Sequence, residues 1–171
     1  MTGGRPGVTT LNGGMTLLAN LANSSAALGA TTAGSGSFVS GGATMAFGPI
    51  NGGAGNGTFA DPITINGDGF RNNGALRSFM GVNGTVYSGV ITLGSASRIQ
   101  ADQTGTFTLT NALNVSSNLM LGGVGFISIS GAVSGASDIT HYGLSGFRMT
   151  STAAGQNYAG TLNSGSIATF P

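Results

Sequence analysis

A step of twenty residues runs through the second half of this chain and limits what it can fold into. Gly105-Thr106-Phe107-Thr108-Leu109 is answered by Gly125-Phe126-Ile127-Ser128-Ile129, and then by Ser145-Gly146-Phe147-Arg148-Met149. Three apolar columns keep the step. Phe107, Ile127, Phe147 and Ile167 form one; Leu93, Leu113, Val133 and Ala153 a second; Ile99, Leu119 and Ile139 a third. Between the turns, apolar and polar residues alternate, the period of a strand with one face buried. A short unit recurring at fixed length cannot bury its apolar face alone, so it must stack on its neighbours as a solenoid. The expected fold is all-β: a right-handed parallel β-helix with three short strands per coil. Roughly five to eight coils would make a rod ~25–40 Å long, at ~4.8 Å per rung.

The composition agrees with stacking. Charged residues make up 5% of the 171 positions, and Lys, Glu, Cys and Trp are absent. The charges are Arg5, Arg71, Arg77, Arg98 and Arg148 against Asp61, Asp68, Asp102 and Asp138. Rows of like charge would repel on adjacent parallel strands, whereas rows of small polar residues do not. The apolar fraction is 40% and periodic, so the 33 glycines mark corners of a packed structure rather than a disordered chain. A net charge of +1 with no basic cluster argues against nucleic acid and an anionic membrane surface. No run of 18 apolar residues predicts membrane insertion. So little charge also gives weak repulsion between copies, which favours self-association.

One continuous domain is expected, with two regions. Residues 1–58 are Gly/Ala/Ser-rich. From Thr16 to Thr32, Leu17, Leu18, Leu21, Ala22, Ala26, Ala27 and Leu28 fit one helical stripe that would cap the solenoid; alternation at Thr9-Thr10-Leu11 and Met15-Thr16-Leu17 fits further strands equally. Residues 59–171 read as β-helix coils. Within them, Asp68 to Met80 interrupts the alternation and reads as a longer connection.

Several segments carry a family resemblance. They are Gly57-Thr58-Phe59-Ala60-Asp61-Pro62-Ile63-Thr64-Ile65-Asn66-Gly67, Tyr87-Ser88-Gly89-Val90-Ile91-Thr92-Leu93, Ile127 to Gly135, Asp138-Ile139-Thr140, and Asn157-Tyr158-Ala159-Gly160-Thr161-Leu162. Together they resemble the autotransporter-associated β-strand repeat, or passenger-associated transport repeat, of long bacterial surface proteins, over residues 57–167. His141 stands where the family carries Lys, and Met149-Thr150-Ser151-Thr152 where it carries a Leu-Ser-Gly run. The family's signal peptide and C-terminal barrel have no counterpart in this sequence. The resemblance implies a secreted β-helix with a structural, surface or adhesive role, extracellular or on the bacterial cell surface, and it transfers no catalytic residue.

The residues themselves supply little catalytic material. His141 is the sole histidine, which leaves no second His for a metal cluster or catalytic pair, and it reads as structural. Four scattered aspartates do not make a paired-carboxylate site, though Arg98, Asp138 and Arg148 could lie on neighbouring coils, as clustered Asp, Lys or Arg residues do on one face of carbohydrate-cleaving solenoids. The alternating Thr106, Thr108 and Thr110 suggest an ice-binding row, but Arg148 two coils later spoils it. No catalytic, cofactor-binding or metal-binding residue is therefore assigned. The expected function is assembly: a β-solenoid subunit stacking head to tail into a filament or surface fibre, with Ile167, Phe170 and Pro171 as the end-to-end contact. A passenger segment of a large adhesin and a carbohydrate-binding or carbohydrate-cleaving solenoid are the rival readings. The partner is the chain itself, with surface glycans as a further class.

Overall fold

Among the described residues, fourteen strands bring main-chain donors and acceptors into parallel ladders between residues 57 and 164, and five more flank them. The computed structural model describes residues 8–19, 36–48, 57–79, 84–102, 104–144, 146–150, 157–165 and 168–169. In chain order the first coil holds β1 (Val8–Leu11) and β2 (Gly14–Ala19), and the second β3 (Gly36–Val39) and β4 (Ala43–Gly48). The third holds β5 (Gly57–Phe59), β6 (Ile63–Gly67) and β7 (Leu76–Ser78). The fourth holds β8 (Thr85–Tyr87) and β9 (Ile91–Ala101), the fifth β10 (Thr106–Leu109), β11 (Leu113–Val115) and β12 (Leu119–Gly123). The sixth contains β13 (Phe126–Ile129), β14 (Val133–Gly135) and β15 (Ile139–His141). The seventh contains β16 (Phe147–Met149), β17 (Asn157–Tyr158) and β18 (Leu162–Ser164), and β19 (Ala168–Thr169) begins another turn.

All pairings among these strands are parallel, between corresponding strands of successive coils. The first face stacks β1-β3-β6-β9-β11-β14-β17, and the third stacks β5-β8-β10-β13-β16-β19. The second runs β2-β4-β7-β9-β12-β15-β18, and β9 turns the corner from the first face to the second without a break. Parallel strands stacked coil on coil around one apolar interior are the all-β parallel β-helix that the repeat predicted. For β2 the strand alternative is correct, since Gly14–Ala19 pairs with Ala43–Gly48 in parallel. The remainder of the candidate helical stripe lies outside the described residues. Where a longer connection was expected at Asp68 to Met80, there is a 3-10 turn at Phe70–Asn72 and then a full rung, β7.

The interior is continuous. Phe107, Ile127, Phe147, Leu113, Val133, Ile99, Leu119 and Ile139 are each at most 1% exposed, and Leu93 is also buried. The links Phe107–Ile127–Phe147, Leu113–Val133 and Leu119–Ile139 run as expected, whereas those of Leu93 and Ile99 do not. Leu113 sits opposite Ile91, not Leu93, and Leu93 opposite Ile65. Ile99 sits opposite Leu121, while Leu119 sits opposite Ser97. The cause is one corner. From Ala101 to Thr106 the chain takes two residues more than from Gly123 to Phe126, although these pairs are in register, so the step there is 22 and not 20. An even slip keeps every inward side chain inward, so burial is right while the partners are wrong. Ala153 and Ile167 lie outside the described residues. Among the described residues, the neighbouring steps are 23 (Ser134 to Asn157) and 21 (Phe147 to Ala168).

Aromatic packing fills coils two to five. Phe47 of the second face meets Phe59, Tyr87 and Phe107 of the third, with ring centroids 4.2, 5.6 and 6.3 Å away. Tyr87 is fully buried and its hydroxyl donates to the Asp61 carbonyl at 2.5 Å. That bond satisfies the polar end of a ring whose bulk is apolar. Burial, reinforced by the negative charge of Asp61, pushes the phenol's ionisation far upward, so Tyr87 stays neutral.

Candidate functional site

With so few charges available, their placement is informative. Asp68, Arg77, Arg98 and Asp102 gather on the outside of the second face, along the third and fourth coils. Arg98 projects from β9. Its Nη1 donates to the Asn72 carbonyl, its Nε lies 3.8 Å from Asp68, and its Nη2 approaches the Met120 sulfur at 3.8 Å. The guanidinium stands 4.7 Å over the Tyr142 ring, a favourable cation–π arrangement. Tyr142 can lie there because the residue beneath is Gly122, where a Cβ would meet the ring at 2.2 Å. Arg77, one rung earlier, pairs with Asp102 and lies over the Phe79 ring. Gln100 donates to the same carboxylate at 2.6 Å.

The turn feeding this cluster is unusual. Arg71 and Asn72 adopt φ of 55° and 59°, the left-handed region that side-chain-bearing residues seldom occupy. The Asn72 carbonyl is thereby presented to Arg98. Burial raises the Tyr142 phenol; Arg98 opposes that shift, and Asp68 and Asp102 add to it. Both acids are therefore matched by arginines, and the face reads as a clamp across coils that leaves Phe70 and Tyr142 partly exposed.

The other sequence candidates do not converge. Asp138 accepts from the Thr161 amide at 3.0 Å, while Arg148 stands on the third face over Phe126. Arg98, Asp138 and Arg148 thus do not form one site. Thr106 and Thr108 stack on Phe126 and Ser128, and Ser128 on Arg148, so the threonine row ends after one coil. Among the described residues, no group of three His, Asp or Glu side chains could hold a metal ion.

His141 is 2% exposed, in register with Leu121 rather than with Ala101, which faces Gly123. Its ring lies 5.0 Å from that of Phe147. Burial lowers its pKa from the ordinary 6.5. Below pH about 6.5 the unfolded chain therefore takes up the proton first, and stability declines until pH has passed through the lower folded value. Since this is the sole histidine, thermal unfolding between pH 7 and 5 should show a fall in Tm that His141→Leu abolishes.

The coil ends form the other candidate region. Ile167, Phe170 and Pro171 lie outside the described residues. Among those described, β1 and β2 have a strand partner on one side, as do β17, β18 and β19 at the opposite end. Val8 and Met15, on the first pair, are 60% and 46% exposed. A strand edge that has a strand partner on one side and carries exposed apolar residues is a ready template for another strand. The sequence named contact residues only at the C-terminal end; it marked Met15 as part of a strand alternation, and Val8 carries no period of its own. No family model, curated protein or solved structure matches this chain.

Proposed function

We propose that the chain is a structural rod of an extracellular or bacterial-surface fibre, in which the last rung of one copy receives the first rung of the next. One observation carries the reading: the edges at β1–β2 and β17–β18 belong to the same parallel sheet, so their strands share a direction. Joining them continues the ladders of the first and second faces without reversing polarity. Such a contact is heterologous and does not close, so it propagates as a filament. The resemblance to passenger repeats and the low charge support the same role. They also favour a second reading, in which the coils belong to a passenger segment of an adhesin and the edges continue into the same polypeptide.

Negative-stain electron microscopy of the purified chain over a concentration series tests this. Thin unbranched fibres are expected for the unaltered chain, and short particles for Val8→Lys/Met15→Lys, which places charge on the edge. Monomers of the unaltered chain at every concentration would overturn the filament and leave the passenger reading.

A further inference from the structure

We infer that the outside of the first face binds a neutral, extended polysaccharide along the helix axis, with its end ring seated in a cleft beside Phe38. Its row side chains face outward, away from the stacked interior, and of the cleft residues only Val8 also belongs to the end-to-end edge. Its central outward row is in register through seven coils: Thr10, Phe38, Thr64, Thr92, Asn114, Ser134 and Asn157. At the head of the row a cleft of about 250 Å³ opens between Val8, Gly36, Phe38, Pro62, Thr64 and Thr92.

The lining has two chemistries. Phe38, 38% exposed, with Pro62 and Val8, offers flat apolar surface suited to the C–H face of a sugar ring. Thr64 and Thr92 supply hydroxyls on the same wall, and Asn114 an amide one rung further. A few placed polar groups on an apolar concavity are the usual make-up of a ligand site. No row or cleft residue carries a charge, so neither an anionic nor a cationic chain would find a counter-charge. The rung spacing of ~4.8 Å is close to the advance per residue of an extended β-linked glycan, so successive rungs can meet successive rings.

The polar residues bordering the row behave differently. Asn66 donates to the Val39 carbonyl, Asn111 to Ser88 and Ser116 to Leu93, each joining one coil to an earlier one. Those side chains are occupied in holding the coils together. The central row is turned outward and leaves its hydroxyls and amides to whatever lies on the face.

Affinity electrophoresis of the full chain through gels containing a soluble neutral β-1,4-glucan tests the proposal, with polygalacturonate gels for comparison. Retardation is expected in the neutral glucan and not in the anionic one. Phe38→Ala should weaken it by about tenfold or more, and Thr92→Arg, which sets a long charged side chain across the path, should do the same. Arg98→Ala, on the second face, should leave it unchanged. Circular dichroism shows whether each variant keeps its β signal; should Phe38→Ala lose it, Thr92→Arg decides. No retardation in the neutral glucan, stronger retardation in polygalacturonate, or binding unaffected by folded Phe38→Ala and Thr92→Arg would each overturn the proposal.

Discussion

Replacing Ile127 by Asp is expected to yield no folded protein. Ile127 lies in β13 with Phe107 opposite on one rung and Phe147 on the next, and all three are fully buried. No water reaches that column, and an ionised carboxylate left unpaired there would neutralise itself first. Even the neutral acid costs about 1–3 kcal/mol if left unbonded. The lost apolar packing adds about 2–5 kcal/mol, against a total stability of about 5–15 kcal/mol for a domain. The site also sits mid-stack, so the defect separates the coils on either side. Ile127→Val, which removes one methylene and costs about 0.5–1.5 kcal/mol, should stay folded and serve as the comparison. Far-UV circular dichroism and thermal unfolding distinguish the two; an Asp variant melting with the unaltered chain would refute the register of the third face.

The second large effect is expected at Gly131. A Cβ at this position would sit 1.8 Å from the Asn111 carbonyl oxygen and 2.3 Å from its carbon. The obstacle is main chain, so no rotamer change relieves it. Asn111 is itself fixed, its side chain donating to the Ser88 carbonyl and accepting from the Ala112 amide. Gly131→Ala must therefore spread the corner between the fifth and sixth coils. The expected cost is about 3 kcal/mol, the upper end for overpacking, or a Tm lower by roughly 6–12 °C. Gly13→Ala is the control, since a Cβ there meets nothing within 4 Å. Differential scanning calorimetry of both variants gives the answer, and equal melting temperatures would contradict the close approach. At Gly123 the demand is double: a φ of 106°, and a Cβ 1.9 Å from the Ala101 carbonyl oxygen.

Such corners explain why the sequence was readable in some places and not in others. Between Gly105 and Met149 the coils are equal in length, so Phe107, Ile127 and Phe147 could be aligned by counting. Two extra residues between Asp102 and Gly105 broke the count for Leu93 and Ile99 while leaving their inward orientation intact. Earlier coils differ more: Val8 to Gly36 is a step of 28, Ser37 to Ile63 of 26, and Met45 to Leu76 of 31. No fixed period survives such variation, and the aromatic centre of Phe47, Phe59 and Tyr87 lies among those coils. The charged face was hidden for another reason. Asp68 and Arg98 are thirty positions apart, and what unites them is the rung pairing of β6, β7 and β9, not any local motif.

Unequal coils have a mechanical corollary. Each circuit climbs one strand spacing, ~4.8 Å, whether it consumes 20 residues or 31. Surplus chain goes sideways. Height along the rod is thus an integer tally of circuits, a ruler graduated in rungs. Sequence added at the Asp68–Gly74 bend or the Asp102–Gly105 corner would widen the shaft or decorate it while every site above kept its elevation.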